Sequence, residues 1–335
     1  MKKTYLLWSG VKGALATTTA LSVALSMISN PAHAGDKDTK EVVPPPPVCS
    51  KINWLLNVEF ANEYVTPRGM IVRDKGLTIQ PLLLAFVPLY KGDGFINGVK
   101  LFGGAWNDFG TSSVSKHPPY GSKPTTNWTE IDPIAGFSVG FAKNFTFDAT
   151  WSAFAEQILD IGTSHNLELK VSMDDSPYLG AFALHPSFAY WQELEGKATD
   201  ADVPFAVFGP SPRSGGNPQP GPSYYLDAAI DPSYTFKDVL GGLKLEAPCS
   251  VLLPNKRFYG EYFGKASTVG LIDVGAKATV PLTFMPEGYG HWSFHTGVKY
   301  QYYVDKNLYN LNIFNAPGKP TRETWQVYAG ITAFF

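Results

Sequence analysis

Apolar and polar residues alternate with a period of two along most of this chain. The pattern is clearest at the end of the chain. There Trp325, Val327, Ala329, Ile331, Ala333 and Phe335 form one wholly apolar row, and Gln326, Tyr328, Gly330 and Thr332 form a more polar row. A period of two is that of a β-strand, whose successive side chains point to opposite faces. A run of about ten residues is enough for a tilted strand to cross a bilayer.

The same alternation recurs from Asn53 onward and predicts twelve strands. Their predicted ranges are 53–65, 77–90, 96–109, 128–142, 145–156, 165–173, 178–193, 224–236, 243–253, 268–284, 291–304 and 325–335. The connections after even-numbered strands are short, whereas most of those after odd-numbered strands are longer and rich in Pro, Gly and Ser. A transmembrane barrel sorts its connections in this way, and a soluble β-sandwich has no reason to do so.

A chain that ends in such a strand, with an aromatic residue at the terminus, resembles the outer-membrane β-barrels of Gram-negative bacteria. This resemblance implies an all-β fold, an antiparallel transmembrane β-barrel of about twelve strands with short periplasmic turns and long extracellular loops. It also implies that the final strand closes the barrel and carries a signal for the outer-membrane barrel assembly machinery. The candidate residues of that barrel-closing C-terminal signal are Trp325, Ile331 and Phe335.

A second resemblance lies in the first predicted hairpin. Residues 63–69 have the sequence Glu-Tyr-Val-Thr-Pro-Arg-Gly, and residues 76–81 have the sequence Gly-Leu-Thr-Ile-Gln-Pro. Together they are similar to the opening hairpin of a group of uncharacterised, porin-like outer-membrane proteins. The similarity covers only this segment, so it bears on location more than on function.

The first 34 residues have the composition of a secretory signal peptide. They contain three early lysines, an apolar core at 14–28 and a small-x-small cleavage site at Ala32-His33-Ala34. Cleavage would change the formal net charge from −2 to −5, because it removes three lysines and no acid. We therefore predict export to the Gram-negative outer membrane, with a signal peptide at 1–34, a Pro-rich periplasmic extension at 35–51 and a transmembrane β-barrel at 52–335.

Composition supports a β protein and raises one objection to a barrel. Aromatic residues make up 14% of the chain and there are 32 glycines, which favours strands over helices. The two cysteines, Cys49 and Cys249, are interpreted as isolated thiols, with a disulfide as the alternative.

The prolines are the objection to a barrel. They fall inside or near predicted strands, where a closed barrel offers no free edge. They are Pro81, Pro88, Pro133, Pro186, Pro232, Pro248 and Pro281.

In a transmembrane barrel the apolar row faces lipid and the mixed row faces the lumen. Acids outnumber bases on the predicted inner wall, which would raise the local concentration of cations and disfavour anions. The alternative is that the acids pair with lysines and arginines and rigidify a plugged lumen. The candidate lumen-lining residues of a pore are Glu59, Glu63, Lys100, Asp108, Glu130, Asp132, Asp148, Glu168, Lys170, Asp273, Lys277, His295 and Lys299.

The sequence contains no recognisable pattern of catalytic residues. An outer-membrane phospholipase family with twelve strands uses a Ser, His and Asn site, but here Ser293 and His295 stand in reversed order and no Asn follows. The chain has no metal-ligand spacing, no CxxC pair, no phosphate loop and no dinucleotide fingerprint. We therefore expect no enzymatic activity and no cofactor, and the absence of a basic stripe argues against nucleic acid.

The sequence thus predicts a porin-like channel for the passive diffusion of small polar solutes, with a preference for cations. Its expected partners are outer-membrane lipid, the barrel assembly machinery and the solutes themselves. The alternative is a non-conducting structural or surface-binding barrel. No motif specifies a particular solute or an oligomeric state.

Overall fold

The computed structural model describes residues 52–111, 127–157, 163–195, 223–256, 258–259, 267–315 and 322–335. The predicted signal peptide (1–34), the Pro-rich extension (35–51) and Cys49 lie outside the described residues. Cys249 is a free thiol. No helix in the described ranges is long and apolar enough to span a membrane.

Twelve antiparallel strands form a closed barrel. Nine are continuous: β1 (Asn53–Ala61), β4 (Thr78–Lys91), β5 (Ile96–Gly110), β6 (Trp128–Phe141), β7 (Phe145–Glu156), β8 (Ser164–Met173), β15 (Leu271–Pro281), β16 (His291–Tyr303) and β17 (Glu323–Phe334). Three are interrupted once, as β9 (Phe182–Ala183) with β10 (Ser187–Glu195), β11 (Ser223–Ile230) with β12 (Ser233–Phe236), and β13 (Leu243–Glu246) with β14 (Cys249–Pro254). The remaining elements are not part of the wall. They are β2 (Tyr64–Val65), β3 (Ile71–Arg73), a short helix Ser176–Leu179, a 3-10 turn Glu287–Tyr289 and a helix Lys306–Asn315, here called the loop helix.

The last strand closes the barrel against the first. β17 pairs with β16 on one side and with β1 on the other, where Ile331 lies opposite Val58. The backbone N–H of Trp54 donates to the Phe335 carbonyl at 2.6 Å, and the N–H of Phe335 donates to the Trp54 carbonyl at 3.0 Å. Closure removes the free sheet edges whose polar groups lipid could not satisfy. The predicted closed barrel of twelve strands is confirmed.

The connections sort by side as predicted. On the side of the described chain ends they are 92–95, 142–144, 174–181, 237–242 and 282–290. On the other side they are 62–77, 111–127, 157–163, 196–222, 255–270 and 304–322, of which only 157–163 is short. This arrangement is typical of outer-membrane barrels, which have short periplasmic turns and longer extracellular loops.

The outer surface of the barrel is apolar. Large side chains on successive strands point outward and are exposed, whereas the buried residues between them include Asn57, Asp148 and Gln326. A water-soluble barrel would have the opposite arrangement, so this wall suits lipid outside and polar groups inside. The exposed outward residues include Leu83, Leu101, Phe137, Trp151, Val171, Phe188, Val274, Phe294, Val327 and Ile331.

Most of the prolines that opposed a barrel lie where the ladder is interrupted. Pro186, Pro232 and Pro248 lie in the breaks of three neighbouring strands. A proline has no N–H to donate, so a break in the strand removes the missing bond from the ladder. The sheet stays continuous because the N–H of Ala247 donates to the Pro232 carbonyl at 2.8 Å. Elsewhere Pro88 lies at a bulge, Pro281 ends β15, and Pro81 and Pro133 remain inside β4 and β6.

Three predicted strands were too long, and the first of them, predicted over 53–65, ends at Ala61. The seventh was predicted from Tyr178, but residues 176–179 form a helical turn and the strand begins at Phe182. Pro177 favours that turn, and the Asp174 carboxylate accepts the N–H of Ser176 at 3.1 Å. The tenth strand was predicted over 268–284 and spans Leu271–Pro281.

Closure requires a glycine at position 330, which gives a first prediction. A Cβ at Gly330 would lie 2.6 Å from the Val58 carbonyl oxygen and 2.7 Å from the His295 ring. We expect Gly330→Leu to lower the free energy of unfolding by about 1–3 kcal/mol, because overpacking forces the two strands apart. Heat-modifiable gel mobility and urea unfolding of the refolded barrel measure this. Ala329→Leu, on the outward face of the same strand, is the control; equal losses in both variants would contradict the prediction.

Candidate functional site

The interior of the barrel is the candidate functional site. The structure places every sequence-predicted lumen residue on the inner side of the wall or on the connection that enters the lumen, and all are buried or half-buried. On the wall are Glu59, Lys100, Asp108, Glu130, Asp132, Asp148, Glu168, Lys170, Asp273, Lys277, His295 and Lys299, and on the connection is Glu63.

Ion pairs join neighbouring strands across part of this wall. Lys299 Nζ lies 2.7 Å from Asp273 Oδ2, between β16 and β15. Glu246 on β13 lies between two lysines, with its Oε2 3.2 Å from Lys277 Nζ on the neighbouring β15 and its Oε1 2.7 Å from Lys244 Nζ on its own strand. Period-two alternation predicted that these residues face inward, but the pairing of strands decides which of them meet.

His295 lies where β1, β16 and β17 meet. Its Nε2 is 3.6 Å from Glu59 Oε2, and its Nδ1 is 3.4 Å from Thr332 Oγ1. The Thr332 hydroxyl donates to Asn57 Oδ1 at 2.8 Å. The imidazole is therefore part of a polar network that connects the closing strand to the first strand.

The connection between β1 and β4, residues 62–77, folds into the lumen; we call it the inner hairpin. Its two short strands pair Tyr64 with Arg73 and Val65 with Ile71. The turn between them uses Gly69, whose φ of +81° is a conformation that favours glycine. The first strand was predicted to run to residue 65, which would put Tyr64 in its apolar, lipid-facing row together with Phe60, and this was wrong. β1 ends at Ala61, and the Tyr64 side chain is buried inside.

The base of the inner hairpin is attached to the nearby wall. The Tyr64 hydroxyl donates to Glu130 Oε2 at 2.7 Å. Arg73 Nη2 donates to Asp108 Oδ2 at 3.1 Å and also contacts the Thr129 hydroxyl. Burial, followed by the nearby Glu130 carboxylate, raises the pKa of Tyr64 well above its usual value, so this phenol remains a neutral hydrogen-bond donor.

The tip of the inner hairpin reaches the opposite wall. Arg68 Nη1 lies 3.3 Å from Glu193 Oε1 on β10, and both side chains are almost completely buried. The Arg68 guanidinium also lies over two aromatic rings, 4.6 Å from the Phe154 centroid and 5.0 Å from that of Trp191. In the closed order of strands β10 is opposite β1. The inner hairpin therefore crosses the full width of the lumen.

The loop helix also forms hydrogen bonds with the tip of the inner hairpin. Asn312 accepts the N–H of Ile71 at 2.9 Å and donates to the Gly69 carbonyl at 2.8 Å. The Asp305 carboxylate accepts the N–H of Asn307 at 2.7 Å at the start of the helix. Sequence reasoning missed Asn312, and no local pattern in the sequence could have shown that it meets residues far away in the chain.

Part of the inner wall is apolar, which the sequence interpretation did not anticipate. β4 has apolar residues on both faces, so the rule that the apolar row faces lipid cannot choose between them. Inward side chains of β4 and of the nearby strands β1, β5 and β6 form a buried cluster against the base of the inner hairpin. It comprises Leu55, Leu82, Leu84, Phe86, Phe102, Trp106 and Ile134, together with Tyr64.

A cavity lies beside the tip of the inner hairpin; we call it the subtip cavity. One wall is aromatic, because Trp191 stacks on Tyr225 at 5.0 Å and on Phe154 at 6.2 Å, with interplanar angles of 18° and 13°. Another part of the wall is polar and acidic. The lining residues are Pro67, Arg68, Asp132, Ile134, Thr150, Ser152, Phe154, Glu168, Trp191 and Tyr225.

No protein-family model and no curated protein matches this sequence. Among solved structures, an outer membrane channel from Pseudomonas putida F1 is 11% identical, with 88% of this chain and 100% of that chain covered and a TM-score of 0.42. Outer membrane phospholipase A from Escherichia coli is 12% identical, with 87% and 94% covered and a TM-score of 0.39. The NanC porin is 8% identical, with 85% and 100% covered and a TM-score of 0.39.

In architecture this chain resembles the outer-membrane β-barrels of Gram-negative bacteria. The closed antiparallel sheet, the apolar outer surface and the sorted connections support that resemblance directly. At TM-scores below 0.5, the superpositions give this chain neither an activity nor a solute.

Proposed function

We propose that this barrel is an outer-membrane diffusion channel for small polar solutes, with a preference for cations, and that the inner hairpin is its plug. One observation carries the proposal. The barrel wall is apolar outside and ionisable inside, and the inner hairpin, which is not part of the wall, crosses the lumen that the wall encloses. Removal of that segment would leave a twelve-strand barrel, which is wide enough for a narrow path of water.

The charges on the inner wall support a preference for cations. The described acids that face inward outnumber the lysines, and the excess remains when Arg68 and Arg73 of the inner hairpin are included. Fixed negative charge along a narrow path attracts cations and repels anions, because low-dielectric walls concentrate the field. Neutral and cationic polar solutes would therefore pass more readily than anions.

A non-conducting barrel is the second candidate, and the attachment of the inner hairpin favours it. The plug is held on both walls by the buried pairs Arg73–Asp108 and Arg68–Glu193. If these contacts never release, the chain would be a rigid surface barrel whose outer connections bind a partner or protect the cell.

Conductance of the refolded protein in a planar bilayer separates the two candidates. We expect stable conductance steps with a reversal potential that indicates cation selectivity under a salt gradient. A folded, heat-modifiable barrel that stays silent both as wild type and without its inner hairpin would overturn the channel and support the non-conducting barrel.

Ion selectivity gives a further prediction. We expect Glu59→Gln, Glu63→Gln and Asp148→Asn together to abolish or reverse the preference for cations, because all three carboxylates are buried inside the barrel. The ratio of cation to anion permeability, from the reversal potential, measures the effect. Substitution of Asp93, an exposed acid in the turn 92–95, by Asn is the matched control. Unchanged selectivity in the triple variant would show that these acids do not line the path.

A further inference from the structure

We infer that the subtip cavity is a binding site for small planar organic cations of the amidinium and guanidinium class. As a statement about the transported solute, this inference rests on the channel function proposed above. As a statement about binding, it stands on the side chains of the cavity itself.

The aromatic wall of the cavity already holds one planar cation. The guanidinium of Arg68 lies against the rings of Phe154 and Trp191, within the range of cation–π attraction. Tyr225 continues the same stack beyond Trp191, and the two rings that the guanidinium lies over are those of Phe154 and Trp191. The aromatic wall is therefore complementary to a flat, positively charged group. Part of this wall extends beyond the rings that the Arg68 guanidinium covers.

The polar part of the cavity offers acceptors for the N–H groups of such a ligand. Glu168 is only 9% exposed, and no cationic side chain among the described residues lies within ion-pair distance of its carboxylate. Thr150 is 6% exposed, and its hydroxyl has no hydrogen-bond partner in the part of the chain that the structure describes. Lys170 attracts the Glu168 carboxylate only from beyond ion-pair distance. A buried carboxylate without an ion pair and a buried hydroxyl without a hydrogen bond are both costly, so a ligand that donates to both groups would be stabilised.

These groups lie in one row across three strands. Glu168 is directly opposite Trp191 in the pairing of β8 with β10, and directly opposite Thr150 in the pairing of β7 with β8. Side chains opposite each other in neighbouring strands have Cβ atoms about 4.5–5.5 Å apart. The carboxylate, the hydroxyl and the ring can therefore contact one small planar molecule at the same time.

Arg68 then acts as a tethered occupant of the aromatic end of the site. It belongs to the inner hairpin, so a free cation that takes its place on the rings would favour release of the plug. A ligand can shift such an equilibrium only by its difference in affinity for the two states. The variant without the guanidinium should consequently bind a free cation more tightly than the wild type.

Calorimetric titration of the full-length mature barrel in detergent micelles tests this inference. The probe is benzamidinium, with neutral benzamide and anionic benzoate as matched compounds. We expect wild type to bind benzamidinium at least about ten-fold more tightly than benzamide, Glu168→Gln to remove most of that preference, and Arg68→Ala to increase affinity for benzamidinium. Asp231→Asn is the control variant, because Asp231 lies six positions beyond Tyr225, in the break between β11 and β12, and does not line the cavity.

Equal affinities for benzamidinium and benzamide, or an unchanged affinity in Glu168→Gln, would overturn the inference. If Glu168→Gln does not fold, Thr150→Val replaces it, with a smaller loss expected and no loss as the contrary result. A barrel that binds benzamidinium selectively but never conducts would keep the site and overturn the channel. A barrel that conducts without binding benzamidinium would overturn the site alone.

Discussion

Excision of residues 64–73, with the ends joined by a short Gly-Ser linker, is expected to raise single-channel conductance several-fold. These residues are the part of the inner hairpin that crosses the lumen from β1 to β10. Their removal takes away Tyr64, Arg68 and Arg73 and leaves the acids that they contact exposed to water inside the barrel. Conductance increases with the open cross-section, and a barrel of twelve strands without a plug has room for a path of water.

The control for this excision shortens a connection on the other side of the barrel. Replacing 237–242, the turn between β12 and β13, by Asn-Gly changes the length of the chain but leaves the lumen crossing intact. We expect this variant to conduct like the wild type. Equal conductance in the excised and wild-type barrels, both heat-modifiable and therefore folded, would mean that the inner hairpin does not obstruct the path.

The wall of this barrel could be predicted from the sequence because its two faces meet different surroundings. In β7, outward Trp151 and Phe147 alternate with inward Asp148 and Thr150, and the predicted bounds of this strand match the observed ones. Closure of the barrel was predictable for the same reason, since residues 325–333 alternate without interruption. Alternation fixes the direction of side chains strongly wherever lipid and lumen differ.

The inner hairpin could not be predicted from alternation. Tyr64 continues the period of β1, and nothing next to it in the sequence distinguishes a residue that meets lipid from one that meets an inner wall. The two arginines, Arg68 and Arg73, were the available signal, because long cations near a tight turn can pair with inward acids. Their partners Glu193 and Asp108 lie 125 and 35 residues away in the chain.

The contacts of the candidate site depend on register, which the sequence leaves open. Inward direction follows from period two, but whether Lys299 meets Asp273 depends on how the strands are staggered around the barrel. The apolar inner cluster was missed for another reason. Leu82, Leu84 and Phe86 alternate with outward residues that are equally apolar, so β4 gives no difference between its faces.

Arg73→Ala is expected to lower the free energy of unfolding by about 3–5 kcal/mol, since it removes one partner of a buried ion pair. Arg73 is 3% exposed and Asp108 is 0% exposed, so the remaining carboxylate would be left in the wall without a cation, with the Gln80 amide at 3.1 Å and the Thr129 hydroxyl as hydrogen-bond donors. The Thr129 hydroxyl would lose its contact with the guanidinium as well. Urea unfolding of the refolded barrel, followed by tryptophan fluorescence, measures the change.

A double-mutant cycle shows whether the loss comes from the uncompensated charge. Asp108→Asn removes the charge and keeps the shape, so the double variant Arg73→Ala with Asp108→Asn should lose less than the sum of the two single variants. The control is Lys75→Ala, an exposed cation of the same connection, for which we expect less than about 1 kcal/mol. Additive losses would instead show that Arg73 stabilises the inner hairpin by packing alone. The base of the plug would then be held by the hydrogen bond from Tyr64 to Glu130 and by packing, without an electrostatic contribution from Arg73.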